Sequence, residues 1–174
     1  MRSRGFSLIE LMVTIAVLAV LVTIGLPSFQ SSMRTNRVAT GTNELLASLA
    51  LARSEAIRNP GGAGICASED GESCGGEWND GWLVWLDSDA DGEPGDDERI
   101  LRHVEGTEHI SVVEQALGVG AEAHKVMFDT RGLSTTDARQ FVLQATDCRA
   151  GQSLVRTLSL SMVGQVNVTR GTCP

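Results

Sequence analysis

No lysine or arginine occurs between Arg4 and Arg34, and none occurs between residues 69 and 98. The first absence leaves Phe6 to Leu26 as 21 residues with a single ionisable group, Glu10. That excludes a solvated face there and gives a segment long enough to span a bilayer as a helix. The second absence coincides with 12 of the 22 acids, on a chain of net charge −8. Such a stretch repels nucleic acid and attracts cations. Paired C-x-x-C spacing is also missing, which argues against a zinc site. The four cysteines, Cys66, Cys74, Cys148 and Cys173, all lie beyond the apolar segment. Their even number points to disulfides in an oxidising compartment. Three connectivities are open, of which Cys66–Cys74 with Cys148–Cys173 is favoured because each closes a local loop. There is no phosphate loop, nucleophile elbow or pair of catalytic acids, so no enzyme is expected. No internal repeat and no low-complexity linker divides the chain.

Arg2 and Arg4 precede the apolar run, and the positive-inside tendency places residues 1–5 in the cytoplasm and the remainder across the membrane. An ordinary secretory signal fits poorly, because the small-residue cleavage signal is weak and Glu10 falls in the apolar region. A plain anchor fits no better. A carboxylate costs roughly 2.5–3.5 kcal/mol at the membrane centre, and an acid kept there is a functional candidate with a partner to be named.

The stretch "GFSLIE" resembles the processing site of type IV prepilins. The resemblance implies a short basic leader, residues 1–5, cut by a prepilin peptidase between Gly5 and Phe6, with methylation of the new amine on Phe6. Glu10 becomes the fifth residue of the mature chain and matches the family's assembly glutamate, which meets the N-terminal amine of a neighbouring subunit. Opposite charges attract strongly in low dielectric, and each relieves the other's desolvation. Residues 6–27 would then anchor in the membrane first and form a filament core later. Pro27 matches the family's proline, and with Gly25 it is expected to kink or locally melt the helix.

Beyond Pro27 the spacing predicts a continuing amphipathic helix over residues 28–59, about 80 Å in all from Phe6 to Asn59. Leu45, Leu49, Ala52 and Ala56 form one apolar stripe with Leu46 beside it, and Asn43, Glu44, Arg53 and Arg58 fall largely off it. The stripe is read as core packing on a sheet. "NPGG" ends the helix. Residues 60–174 then alternate and turn often: "AGICA", "GWLVWLD", "RILRHV", "HISVVE", "KVMFD", "RQFVLQA", "LVRTLSLSM" and "QVNVT" read as strands, with "LSLSMVGQVNV" as a hairpin. The expected fold is α+β, a long N-terminal helix packed on an antiparallel sheet head.

"LARSEAIRNPGG", "GWLVWLDSDADGE" and the late cysteine resemble one branch of the prepilin superfamily, the H-type pseudopilins of type II secretion and the FimT/FimU-like minor pilins. The resemblance implies a lollipop-shaped, scarce subunit that helps initiate or cap a pilus or a secretion pseudopilus. Its partners would be other pilins through the N-terminal helix, the prepilin peptidase and the bacterial inner membrane, with residues 60–174 as a periplasmic head. The alternative is a surface anchor that holds DNA or calcium. Some members of the branch bind DNA through a Gly-Arg-x-Arg stretch. Here that place reads Gly164-Gln165-Val166-Asn167, without either arginine, which argues against DNA, although Arg156 and Arg170 remain for phosphate.

No cofactor is implied by the resemblance, but residues 87–98 fit the calcium pattern D-x-D-x-D-G-x5-E. Asp87, Asp89 and Asp91 would offer carboxylate oxygens, Glu93 its carbonyl and Glu98 a bidentate pair, with Gly92 at the sharp turn. Pro94 departs from the pattern, and no helix pair flanks the loop. The competing reading is a solvated acidic hairpin loop. His103, His109 and His124 lack neighbours at metal spacing, and Trp78, Trp82 and Trp85 read as core and rim.

Overall fold

The computed structural model describes residues 6–95, 97–117 and 124–174. One helix, α1 (Leu8–Ala56), is followed by β1 (Ala63–Ala67), β2 (Gly81–Leu86), β3 (Ile100–Glu105), β4 (Ile110–Ala116), β5 (Lys125–Phe128), β6 (Arg139–Ala145), β7 (Val155–Leu160) and β8 (Val166–Gly171). All eight stretches read as strands form strands. Two compact units, Met1–Asn36 and Arg37–Pro174, divide the chain within α1.

In the first unit α1 runs without interruption through positions 25 and 27. Phe6, Leu8, Ile9, Leu18, Leu21 and Ile24 are all exposed. With no polar face opposite an apolar one, this segment is not buried against the described residues. It is long and apolar enough to cross a membrane. At 1.5 Å per residue the 49 residues of α1 extend over about 74 Å.

In the second unit the C-terminal part of α1 is amphipathic, as its stripe requires. Leu45, Leu49, Ala52 and Ala56 are at most 1% exposed and lead the main core with Ile65, Trp82, Val84, Phe128, Phe141, Leu143, Leu158 and Leu160. Arg53 lies off the stripe, where its Nε donates to the Gly132 carbonyl at 3.0 Å and its Nη2 to that of Val163 at 3.2 Å. The helix ends three residues before Asn59, whose side chain turns back to donate to the Glu55 carbonyl at 2.7 Å. That side-chain bond takes over a helix-terminal carbonyl and helps close the last turn.

The strands form two antiparallel sheets where one sheet region was expected, in the orders β3-β2-β1-β5 and β4-β6-β7-β8. The difference arises because β4 does not pair with β3 before it but with β6, over seven residues from Ile110↔Ala145 to Ala116↔Arg139. β5 returns to β1 with Ala63 opposite Phe128. Alternation in β6 is strict, with Arg139, Phe141, Leu143 and Ala145 buried. β1 and β2 are instead buried on both faces. Trp82 and Val84 face the main core, while Leu83 and Trp85 join Cys66 in a second cluster. Gly64 is required there. A Cβ at this position would stand 2.3 Å from the Trp85 ring.

Candidate functional sites

Gly5 lies outside the described residues. Phe6 is exposed just before α1, and Glu10 is the acid of the first helical turn, where a negative charge complements the helix dipole. Glu10 is also exposed, and each of the large apolar side chains around it, Phe6, Leu8, Ile9, Leu11, Met12 and Val13, is more than half exposed. The segment therefore presents a carboxylate on an otherwise apolar surface.

Disulfides join Cys66 to Cys74 and Cys148 to Cys173, the local pairing. The first staples the loop after β1 over Leu83 and Trp85. The second closes a small cluster with Val38, Ala145, Leu154 and Val155. Within the first loop Asp70 accepts hydrogen bonds from the backbone N–H groups of Glu72 and Ser73 at 2.9 Å each, and from the Ser73 and Ser68 hydroxyls. The Ser73 donors above all, with Glu72, hold its carboxyl well below the usual carboxylate range.

In the β2–β3 connection, Asp87, Asp89 and Asp91 bring one carboxylate oxygen each within 4.8 Å of one another. Asp87 is only 3% exposed, and burial pushes its carboxyl above the ordinary range, opposed by N–H groups of Gly92 and Ala90 and reinforced by Glu98 and Asp91. Gly92 has φ of +81°, the left-handed turn that favours glycine. The side chains of the remaining two residues of the pattern make contacts of their own. Glu93 pairs through its side chain with Lys125 at 2.7 Å. Glu98 accepts hydrogen bonds from the N–H groups of Ser88 and Gly95. The carboxylate of Glu98 thus pins the loop through backbone N–H groups, close enough to Asp87 for its charge to be felt there.

Three further expectations can be placed. Trp78, Trp82 and Trp85 are all core residues, and Trp78 packs edge-on against Phe141 with ring centroids 4.8 Å apart. Gly164 sits in the β7–β8 hairpin turn, donating its N–H to the Ser161 carbonyl. Arg156 faces Arg170 across β7 and β8, and burial together with that neighbouring charge lowers the Arg156 guanidinium pKa. Nearer the turn is Arg53, whose Nη2 donates to the Val163 carbonyl at 3.2 Å.

Sequence reasoning missed Glu114. On the alternating strand "HISVVE" it reads as an end residue, yet its side chain is 5% exposed and bonds the fully buried Arg139. Its other oxygen accepts the Trp78 indole N–H and the His124 backbone N–H, both at 2.7 Å. The only available signal was the charge of Arg139 at an inward position of β6.

The long apolar helix and the two antiparallel sheets are a pilin-like architecture. The family described as "Type II transport protein GspH" matches residues 41–164, and the prokaryotic N-terminal methylation motif matches residues 1–26. The chain belongs to the GspH family, whose members are structural pseudopilins and not enzymes. The two matches together support a pseudopilin or minor pilin role, with prepilin processing implied by the methylation motif. No curated protein and no solved structure matches the chain.

Proposed function

We propose that the protein is a scarce filament subunit that helps initiate or cap a type IV pilus or type II secretion pseudopilus. Its partners would be other pilins, reached through residues 6–27. Before assembly it would be held in the inner membrane with residues 60–174 in the periplasm. The observation that carries this reading is Glu10, one carboxylate on an exposed apolar helix beside a processing motif. Alone in lipid the charge is costly. Against the amine that cleavage creates on Phe6 of a neighbouring subunit, each group satisfies the other. DNA capture has less support, since the hairpin turn lacks the arginines that the branch uses and the head is acidic.

The test is Glu10→Ala, with the mature N-terminus read by peptide sequencing. Wild type and variant should both begin at methylated Phe6, and both should accumulate in the inner membrane, because removing the charge makes the segment more apolar. The variant should be depleted from sheared filaments or cross-linked complexes. Breaking a buried pair costs on the order of 3–5 kcal/mol, which makes incorporation rare. Co-assembly at the wild-type level would refute the role of Glu10. A mature N-terminus near Gly25 would refute the pilin-type processing itself.

A further inference from the structure

The β2–β3 connection takes no part in the assembly reading, and it contains a group the fold leaves unsatisfied. Asp87 is 3% exposed, and its Oδ1 is a buried oxygen with no hydrogen-bond partner among the described residues. Burying a carboxylate oxygen without a donor is unfavourable. The convergence of Asp89 and Asp91 to within 4.8 Å adds like-charge repulsion to that cost. The nearby cation Lys125 pairs with Glu93 at 2.7 Å. A buried carboxylate with a donor-free oxygen, grouped with two more carboxylates, is the arrangement a cation stabilises.

We propose that Asp87, Asp89 and Asp91 bind one calcium ion, with one carboxylate oxygen each, and that water or loop carbonyls complete the shell. All three donors are hard oxygens, and no cysteine or histidine belongs to the cluster, which selects against zinc and copper. Calcium suits the site better than magnesium because it tolerates irregular oxygen geometry from a loop, whereas magnesium demands a near-ideal octahedron and keeps its waters. Glu98 stands outside the shell. Its carboxylate accepts the Ser88 and Gly95 N–H groups and holds the loop closed around the aspartates. The bound ion would lock the connection between β2 and β3. It would do so in the periplasm, where calcium is available without competition from cytosolic buffering.

The experiment is equilibrium dialysis of radioactive calcium against the full chain in detergent micelles, stripped with chelator and held at physiological salt. One ion per chain should bind, half-saturating between about 10 μM and about 1 mM, the span of sensor-like and extracellular sites. The double variant Asp89→Asn/Asp91→Asn, at two exposed positions where the amide keeps an oxygen for the Asp91 and Glu93 N–H groups, should weaken binding at least tenfold. Asp97→Asn, an exposed acid of the same loop outside the cluster, should change it less than twofold. The proposal is overturned by the absence of saturable binding up to about 5 mM, beyond the weakest extracellular sites. Undiminished binding by the double variant, or an equal loss in Asp97→Asn, would also overturn it, since either means diffuse attraction to the acidic surface.

Discussion

Replacing Glu114 by alanine should be among the most damaging single changes in the head, although Glu114 takes part in no binding site. In the wild type one carboxylate oxygen faces Arg139 Nη1, and the other accepts from Trp78 Nε1 and the His124 backbone N–H at 2.7 Å each. Arg139 is 0% exposed and Glu114 5%, so neither charge can turn to water when the other is removed. Removing one partner of a buried ion pair costs about 3–5 kcal/mol. The two N–H donors lose their acceptor as well, at about 1–3 kcal/mol each when nothing replaces it. These contributions overlap, and about 4 kcal/mol is a conservative sum. At roughly 2–4 °C per kcal/mol for a chain of this size, melting should fall by about 8–16 °C. The assay is thermal and urea unfolding of the full chain in micelles, followed by tryptophan fluorescence, since Trp78 contacts the lost carboxylate directly. The double variant Glu114→Leu/Arg139→Met separates charge from shape. It removes both ions, and buried pairs replaced by apolar side chains are often tolerated. It should therefore recover at least half of the loss. A decrease below about 1 kcal/mol in Glu114→Ala, or a double variant no better than the single one, would refute the reasoning.

Two further outcomes are expected. Removing the Cys148–Cys173 bridge by paired serines should lower stability by about 3.5 kcal/mol on the chain-entropy account for a separation of 25 residues, against about 2.5 kcal/mol for Cys66–Cys74 at a separation of 8. Urea midpoints with an unchanged slope would measure both, and a larger effect from the shorter loop would contradict that account. Asp70 should titrate well below the ordinary aspartate value of 3.8, because its folded carboxylate is stabilised by Ser73 and Glu72. A depressed folded pKa contributes stability that is present above the unfolded pKa and is lost as pH falls through the folded one. The Glu72 and Ser73 amide resonances should accordingly stay native through pH 3.8, and a midpoint there would refute the assignment.

The sequence by itself determined the local structure. An apolar run with a single acid, Glu10, can only be solvated by lipid or by another helix, and that follows from composition. The stripe at Leu45, Leu49, Ala52 and Ala56 specifies one buried helix face because 3.6 residues make a turn. Period-two alternation marked strands such as β6 for the same kind of reason, and short apolar runs bounded by turn residues marked β1 and β2. None of these signals carries a partner. Whether β4 pairs with β3 or with β6 depends on backbone hydrogen bonds that any strand can make, so the division into two sheets was decided by tertiary packing. The same holds for Glu114, which has the charge of a surface residue and was made a core residue by the arrival of Arg139 from a strand 25 positions away. The acidic loop lies between these cases. Its residue types and spacing are legible in the chain, but that Asp87 is buried with an unsatisfied oxygen, while Glu98 turns to backbone N–H groups, is fixed by how β2 and β3 enter the sheet. Burial is a property of neighbours, and neighbours distant in sequence are what local patterns do not encode.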